Sequence, residues 1–167
     1  ALKANCISAS NIKALVLLGF FSYENACISN CENLERILIY NYANESISNR
    51  DTFTKSSISN CSKLQYNEFS GIKYLGTLDE PYMVAIEETS TSLTQVVIPD
   101  ECFSLGSVLN KLSSLGHIDV ESGNNYYSSQ SGILYNRAQN QFLHIPNKLA
   151  GDIVIPNSIT SIESDAF

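Results

Sequence analysis

The sequence predicts a repeat solenoid, in which short β-strands stack coil upon coil into a parallel sheet joined by short or irregular returns. Three observations predict it. The segment Cys27-Ile28-Ser29-Asn30-Cys31-Glu32-Asn33-Leu34 returns thirty residues later as Ser57-Ile58-Ser59-Asn60-Cys61-Ser62-Lys63-Leu64, identical at five of eight positions. A pattern L-x-x-I-x-I extends from these anchors in both directions. Finally, Ile98-Pro99-Asp100, Ile145-Pro146-Asn147 and Ile155-Pro156-Asn157 end three segments in the same way.

The pattern reads Ile12..Leu15.Leu17, Leu34..Ile37.Ile39, Leu64..Asn67.Phe69, Leu93..Val96.Ile98 and Leu115..Ile118.Val120, with anchors 22, 30, 29 and 22 residues apart. Alternation with period two inside each hit marks a short strand with one buried face. Variable spacing fits a coil whose loops differ in length and not a helical heptad. Two weaker strands are expected at Leu143.Ile145 and Ile153.Ile155. The prolines stop each ladder because they have no N–H to donate. One unit alone buries only a narrow face, so stacking at about 4.8 Å per strand is the stable arrangement. The position three before each anchor holds Ala9, Cys31, Cys61, Ser90 and Leu112, a column expected to point inward.

A chain of 167 residues and 18.4 kDa suits one domain, and 44% hydrophobic residues suffice for a core. Charged residues are only 16%, while 24 Ser and 17 Asn make up about a quarter of the chain, a surface suited to turns and stacked polar ladders. The formal charge of −7, without any Lys/Arg run, argues against nucleic acid. The longest apolar stretch, residues 14–21, falls far short of the about 20 residues a membrane helix needs, so no membrane insertion is expected. Cys6, Cys27, Cys31, Cys61 and Cys102 form no paired CxxC knuckle, and His117 and His144 lie far from any close Cys pair in the sequence. Neither a metal nor another cofactor is expected, and most of the cysteines read as buried thiols packing as small hydrophobes.

The chain resembles the bacterial surface leucine-rich repeat proteins of the BspA-like, or Treponema pallidum-like, class, whose unit runs approximately A-F-x-x-C-x-x-L-x-x-I-x-I-P-x-x-V-x-x-I. The segment from Ile153 to Phe167, IVIPNSITSIESDAF, carries one half of that unit and the two Ser-Asn-Cys-x-x-Leu segments the other. Asn125 to Tyr135 resembles an N-x-x-Y-x-S-x-D-G-V-L-Y insert, and Tyr74 to Val84 resembles a Y-Y-L-G-N-x-x-N-P-Y-L-V insert. Departures are Asn67, where the family prefers Ile, and the region of Cys102, which lacks the A-F-x-x-C signature. The resemblance implies a leucine-rich-repeat-like right-handed coil over residues 1–167, a single solenoid forming part of a longer array, since Ala166-Phe167 is where a new coil would open. Physically the inserts read as two β-hairpins, Ile72 to Leu75 with Tyr82 to Ile86, and Gly132 to Tyr135 with Gln141 to Ile145, projecting as flaps beside the sheet.

The motifs give no basis for enzyme chemistry. Asp119 lies two residues from His117, but in a chain so rich in serine a chance Ser/His/Asp trio is expected. No G-x-S-x-G elbow and no phosphate-cradling glycine motif occurs. Asp79/Glu80, Glu87/Glu88 and Asp100/Glu101 read as solvated turn residues rather than calcium ligands or a glycosidase pair. The expectation is therefore a non-enzymatic binding or adhesion module, which the resemblance places outside the cell or on its surface. It would recognise a host or microbial protein or glycan through its sheet face and hairpins. The alternatives are a structural spacer and a carbohydrate-active β-helix enzyme. On the exposed strand face the second position after each anchor gives Arg36, Tyr66, Gln95 and His117, and the fourth gives Leu38, Glu68, Val97 and Asp119. Arg36, Tyr66, Glu68, Gln95, His117 and Asp119 are the candidate binding residues, Tyr and Arg being frequent interface anchors.

Overall fold

The computed structural model describes residues 2–8, 11–18, 24–40 and 53–167. All five anchored strands form: β2 (Ala14–Leu18), β4 (Arg36–Tyr40), β6 (Asn67–Phe69), β9 (Gln95–Ile98) and β10 (His117–Val120). β2 and β4 pair in parallel from Ala14↔Arg36 to Leu18↔Tyr40, and β9 pairs with β10 from Gln95↔His117 to Ile98↔Val120. In both cases partners are 22 residues apart, the spacing of the anchors. Leu17, Ile37, Ile39, Val96, Ile98 and Ile118 are buried, so the inward positions follow the predicted alternation. The chain is a β-solenoid, and among the described residues its only helical turns are two short 3-10 segments, Lys55–Ser57 and Leu109–Lys111.

A second ladder runs along the return side: β1 (Ile7–Ser8), β3 (Ile28–Ser29) and β5 (Ile58–Ser59), with Ile7↔Ile28↔Ile58 in register. The Ile-Ser-Asn-Cys repeat builds it. Asn30 and Asn60 both take φ +52°, a left-handed conformation that Asn tolerates better than most residues. Their side chains then stack, Asn60 Nδ2 donating to Asn30 Oδ1 at 2.9 Å. A parallel row joins Lys63 Nζ to Asn33 Oδ1 at 2.8 Å and Asn33 Nδ2 to Asn11 Oδ1 at 3.3 Å. The thiols lie along the same coils: Cys6 and Cys27 point to the carbonyls of Cys27 and Ser57, each at 3.4 Å. All five cysteines are free. In the column expected to face inward, Cys31 and Leu112 are buried and Cys61 half-buried, but Ser90 is exposed. Its hydroxyl sits 2.7 Å from that of Ser92 in a turn, which offers a hydroxyl better hydrogen bonding than an apolar core. Ala9 lies outside the described residues.

Both expected hairpins form, and each is larger than expected. β7 (Ile72–Leu75) pairs antiparallel with β8 (Val84–Glu88), and β12 (Ile133–Asn136) with β13 (Gln141–His144). Each also pairs backwards, β6 with β7 and β11 (Tyr127–Gln130) with β12, giving two three-stranded meanders. The reversals are Ser70-Gly71, with φ +49° and +77°, and Ser131-Gly132, with φ +52° and +80°. Two successive positive φ values make the tight hairpin turn that matches strand twist. The meanders are not flaps: Ile72, Tyr74, Ala85 and Leu134 belong to the central core cluster. The parallel sheet is correspondingly interrupted. Among the described residues it continues beyond β4 through the bridge Leu38↔Gly76, with Ile39 N–H donating to Gly76 O at 3.1 Å, and through Gln65 N–H donating to Glu35 O at 2.9 Å, and it resumes at β9 and β10. Asn67 explains the break: it is exposed and donates to Pro81 O at 3.2 Å, so its coil lacks the inward aliphatic that the other strands use.

The strand expected at Ile153.Ile155 does not form. Those residues are exposed, and β14 (Ser161–Ile162) instead takes the edge of β13, Gln141↔Ser161 and Phe142↔Ile162.

Candidate functional site

Alternation on β2 and β4 sends Leu17, Ile37 and Ile39 inward, so Ala14, Val16 and Leu18 on one strand and Arg36, Leu38 and Tyr40 on the other share the outward face. Across the ladder Val16 lies opposite Leu38 and Leu18 opposite Tyr40. Val16 is 49% exposed, Leu18 53% and Tyr40 41%. Two adjacent cross-strand pairs of large apolar side chains therefore face outward, with Arg36 at the strand's beginning.

Beside this patch the first meander forms a cleft of about 170 Å³, whose lining includes Arg36, Leu38, Tyr66, Leu78 and Pro81. Leu78, in the β7–β8 turn, is 70% exposed. The turn has that shape because of Gly76: a Cβ there would sit 2.1 Å from Glu80 O, so no other residue fits without moving the backbone. Thr77 closes it, its N–H donating to Glu80 O at 2.8 Å and its hydroxyl accepting from Glu80 N–H at 2.9 Å.

Tyr66 is half-buried on the edge of the core. Burial, reinforced by the negative charge of Glu87, pushes its phenol up to about 12, so it is a neutral hydrogen-bonding group at any physiological pH. The ammonium groups of Lys55 and Lys73 stand 5.5 and 5.9 Å from its ring centroid. Both reach Glu87 Oε2, at 3.3 and 3.4 Å. Burial on its own would raise the Glu87 carboxyl, but the charges of and hydrogen bonds from the two lysines outweigh it and hold it below the usual range. The group is a Tyr-Lys-Lys-Glu cluster in which two cations share one carboxylate.

The six candidate residues thus fall into separate groups. Arg36 and Tyr66 line the same cleft. Gln95 and His117 are neighbours across β9 and β10, and Asp119 lies opposite Val97. His117 Nε2 and Asp119 Oδ1 are 3.1 Å apart, with side chains 46% and 61% exposed. Among the described residues no serine hydroxyl hydrogen-bonds to His117; its ring packs over Gly132, whose Cβ would lie 2.7 Å from Nδ1. Glu68, opposite Lys73 on the antiparallel β6, lines neither group's surface. No cluster of three or more His, Cys, Asp or Glu suited to a metal occurs among the described residues. Sequence reasoning missed Val16, Leu18 and Tyr40, and with them Lys55 and Lys73. The available signal for the first three was the strand pairing, which places alternate members of an apolar run on opposite faces.

No protein-family model matches the chain, and no curated protein matches it. Two solved structures are similar. One is a leucine-rich repeat protein from Eubacterium ventriosum ATCC 27560, at 14% identity and a TM-score of 0.40 over 90% of this chain. The other is the pneumococcal vaccine antigen PcpA, at 18% identity and a TM-score of 0.47 over 93% of this chain. The chain spans 50% of the length of the first and 42% of the second.

Proposed function

We propose that this chain is a non-catalytic binding module of a secreted or surface-displayed bacterial leucine-rich repeat protein of the BspA-like kind, and that its ligand is a protein seated on the outward face of β2 and β4. The observation that carries the reading is the pair of outward cross-strand neighbours Val16/Leu38 and Leu18/Tyr40, of which Val16, Leu18 and Tyr40 are exposed and Leu38 is half-buried. On β9 and β10 the outward residues are Gln95, half-buried Val97, His117 and Asp119, so that part of the strand face is more polar than the face of β2 and β4. An apolar centre with a polar rim is the usual anatomy of a protein interface. Arg36 at the rim supplies a donor fork for a partner carboxylate, and Tyr66, with Lys55 and Lys73 beside its ring, lines the adjoining cleft. A glycan site would call for aromatic platforms interleaved with paired polar groups, whereas here the centre is mostly aliphatic.

The test is a binding screen of the chain against immobilised matrix proteins and a glycan array, repeated with Val16→Asp and Leu18→Asp. Both substitutions are on exposed positions, where a change away from special features alters stability by about 0.5 kcal/mol or less. The expected outcome is a protein ligand whose affinity falls at least about tenfold in either variant. A ligand bound equally well by both variants, or selective glycan binding alone, would overturn the assignment.

A further inference from the structure

A cavity of about 490 Å³ lies between the return segment 103–110 and the second meander. Its apolar wall is made by Phe103, Leu105, Leu109, Tyr127, Leu134 and Leu143. The cavity is open to solvent on one side, and its volume falls within the roughly 300–1,000 Å³ of small-molecule sites. The polar part of the lining is Thr54, Ser104, Ser107, Asn110, His144 and Glu163, of which Ser104 and His144 are buried, exposed to only 4% and 6%. Neither Ser104 Oγ nor His144 Nε2 has a hydrogen-bond partner. That is out of keeping with their neighbours. Tyr127 donates its hydroxyl to Phe103 O at 2.9 Å, and buried Asn124 uses its whole amide. A buried polar atom without a partner costs about 1–3 kcal/mol, so two on one cavity point to a group that meets them.

The chemistry of the lining narrows that group. No lysine or arginine faces the cavity, so an anion would enter without a counter-charge. Its single charged residue, Glu163, already accepts a hydrogen bond from the Gln141 amide. Burial lowers the pKa of His144, which keeps the imidazole neutral and leaves Nε2 to accept or donate according to tautomer. A serine hydroxyl likewise does both. We propose that this cavity binds an uncharged small molecule with an apolar body and a hydroxyl group, the hydroxyl being met by Ser104 and His144. Ser104 and His144 both line the cavity while their orphan atoms are shielded from solvent, so meeting a ligand requires rotation about χ1 of Ser104 or χ2 of His144. The site is separate from the outward face of β2 and β4 and stands or falls independently of it.

The experiment titrates the labelled chain with four probes sharing one ring: p-cresol, toluene, p-toluate and 4-methylbenzylamine, followed by amide chemical shifts. Saturable p-cresol binding is expected, with shifts at Ser104, Gly106, Ser107 and Leu143. Toluene is expected to bind about three- to tenfold more weakly, the equivalent of one hydrogen bond, and the two ions more weakly still. In the variant carrying Ser104→Ala and His144→Phe the preference for p-cresol over toluene falls to within twofold, and Val16→Asp leaves it unchanged. Absence of saturable binding, equal affinities for toluene and p-cresol, tighter binding of either ion, or shifts confined to another surface would each overturn the proposal. The four-probe comparison on the native chain decides the matter even where the double variant fails to fold.

Discussion

Asn124 is fully buried and makes four hydrogen bonds. Its Nδ2 donates to Pro99 O at 2.7 Å and to Cys102 O at 2.9 Å, while Oδ1 accepts from the N–H groups of Tyr126 and Tyr127, both at 2.8 Å. One side chain therefore ties the turn that ends β9 to the turn that enters the second meander. Asn124→Ala removes all four bonds from a fully buried site, while Pro99 O keeps the N–H of Cys102 at 3.1 Å. At about 1 kcal/mol net per bond, with an added cost for groups left buried, the loss is roughly 3–5 kcal/mol. That is a large share of the about 5–15 kcal/mol by which domains are stable. Asn124→Asp keeps both acceptances but turns a carboxylate against two carbonyl oxygens, so at neutral pH it is expected to cost as much or more. Burial and those oxygens raise the folded-state pKa of this new carboxyl. Its protonated form is then favoured by folding, and the Asp variant regains stability as pH falls and loses it as pH rises through the folded pKa. Urea unfolding followed by circular dichroism and tyrosine fluorescence measures both, since the chain has nine Tyr and no Trp. A loss below about 1 kcal/mol in Asn124→Ala would show that the two turns are held by something else.

Three further outcomes follow from the same geometry. His144 is expected to titrate below the ordinary histidine range, because burial disfavours its charged form. Since its folded pKa is lowered, its contribution to stability is complete above the unfolded value of about 6.5 and declines as pH falls through the folded pKa; histidine proton shifts and unfolding midpoints between pH 4 and 8 check this. Burial pushes the Cys102 thiol up to about 12 and also raises Cys27 and Cys61. Iodoacetamide labelling read by mass spectrometry should therefore modify exposed Cys6 in the native chain and reach Cys102 only after unfolding. Gly76→Ala places a Cβ against Glu80 O and Pro81, and a fall in stability of about 2 kcal/mol or more is expected, with the β7–β8 turn displaced.

The coil positions were legible because β2, β4, β9 and β10 bury alternate residues next to an anchoring Ile or Leu, and burial with period two leaves a direct mark on the sequence. The Ser-Asn-Cys repeat was legible for the same reason, its Asn residues doubling as left-handed turn formers and ladder rungs. The outward apolar face was not. Residues 14–21 form a continuous apolar run, which reads as buried on both sides, and only the pairing of β2 with β4 shows that Val16 and Leu18 face away from the core. Arg36 and Tyr66 were proposed from their position after the anchors, yet the cleft they share depends on the Gly76 turn, a long-range contact with no local signature. The third strand of each meander did carry one: Ser70-Gly71 and Ser131-Gly132 are hairpin dipeptides lying between alternating segments. Asn124 is one of seventeen asparagines, and nothing nearby in the chain distinguishes it.

The integration of the first meander is the strongest departure from a simple stack of coils, and it makes a prediction opposite to that for a flap. In a solenoid each coil packs only on its neighbours, so an insert outside the stack can be removed with little effect. Here β6 contributes exposed Asn67 and Glu68 and half-buried Phe69, and the inward volume at that level is filled instead by Ile72, Tyr74, Val84, Ala85 and Ile86, each 2% exposed or less. Replacing residues 72–88 by a short Gly-Ser link would remove all five. At about 1.5–3 kcal/mol for each large side chain, the four larger ones alone account for roughly 6–12 kcal/mol of lost burial, before counting the newly exposed surfaces of the core on either side. That equals the expected stability of the whole domain, so the shortened chain should be unfolded or unfold without cooperativity by circular dichroism and show limited protection from proteolysis. The equivalent test of a true flap, removal of only Leu78 and Asp79 at the exposed turn, should leave most of the stability intact. If the large deletion retained a cooperative transition within a few degrees of the parent chain, the meander would be an appendage, and the break in the parallel sheet would need a different cause.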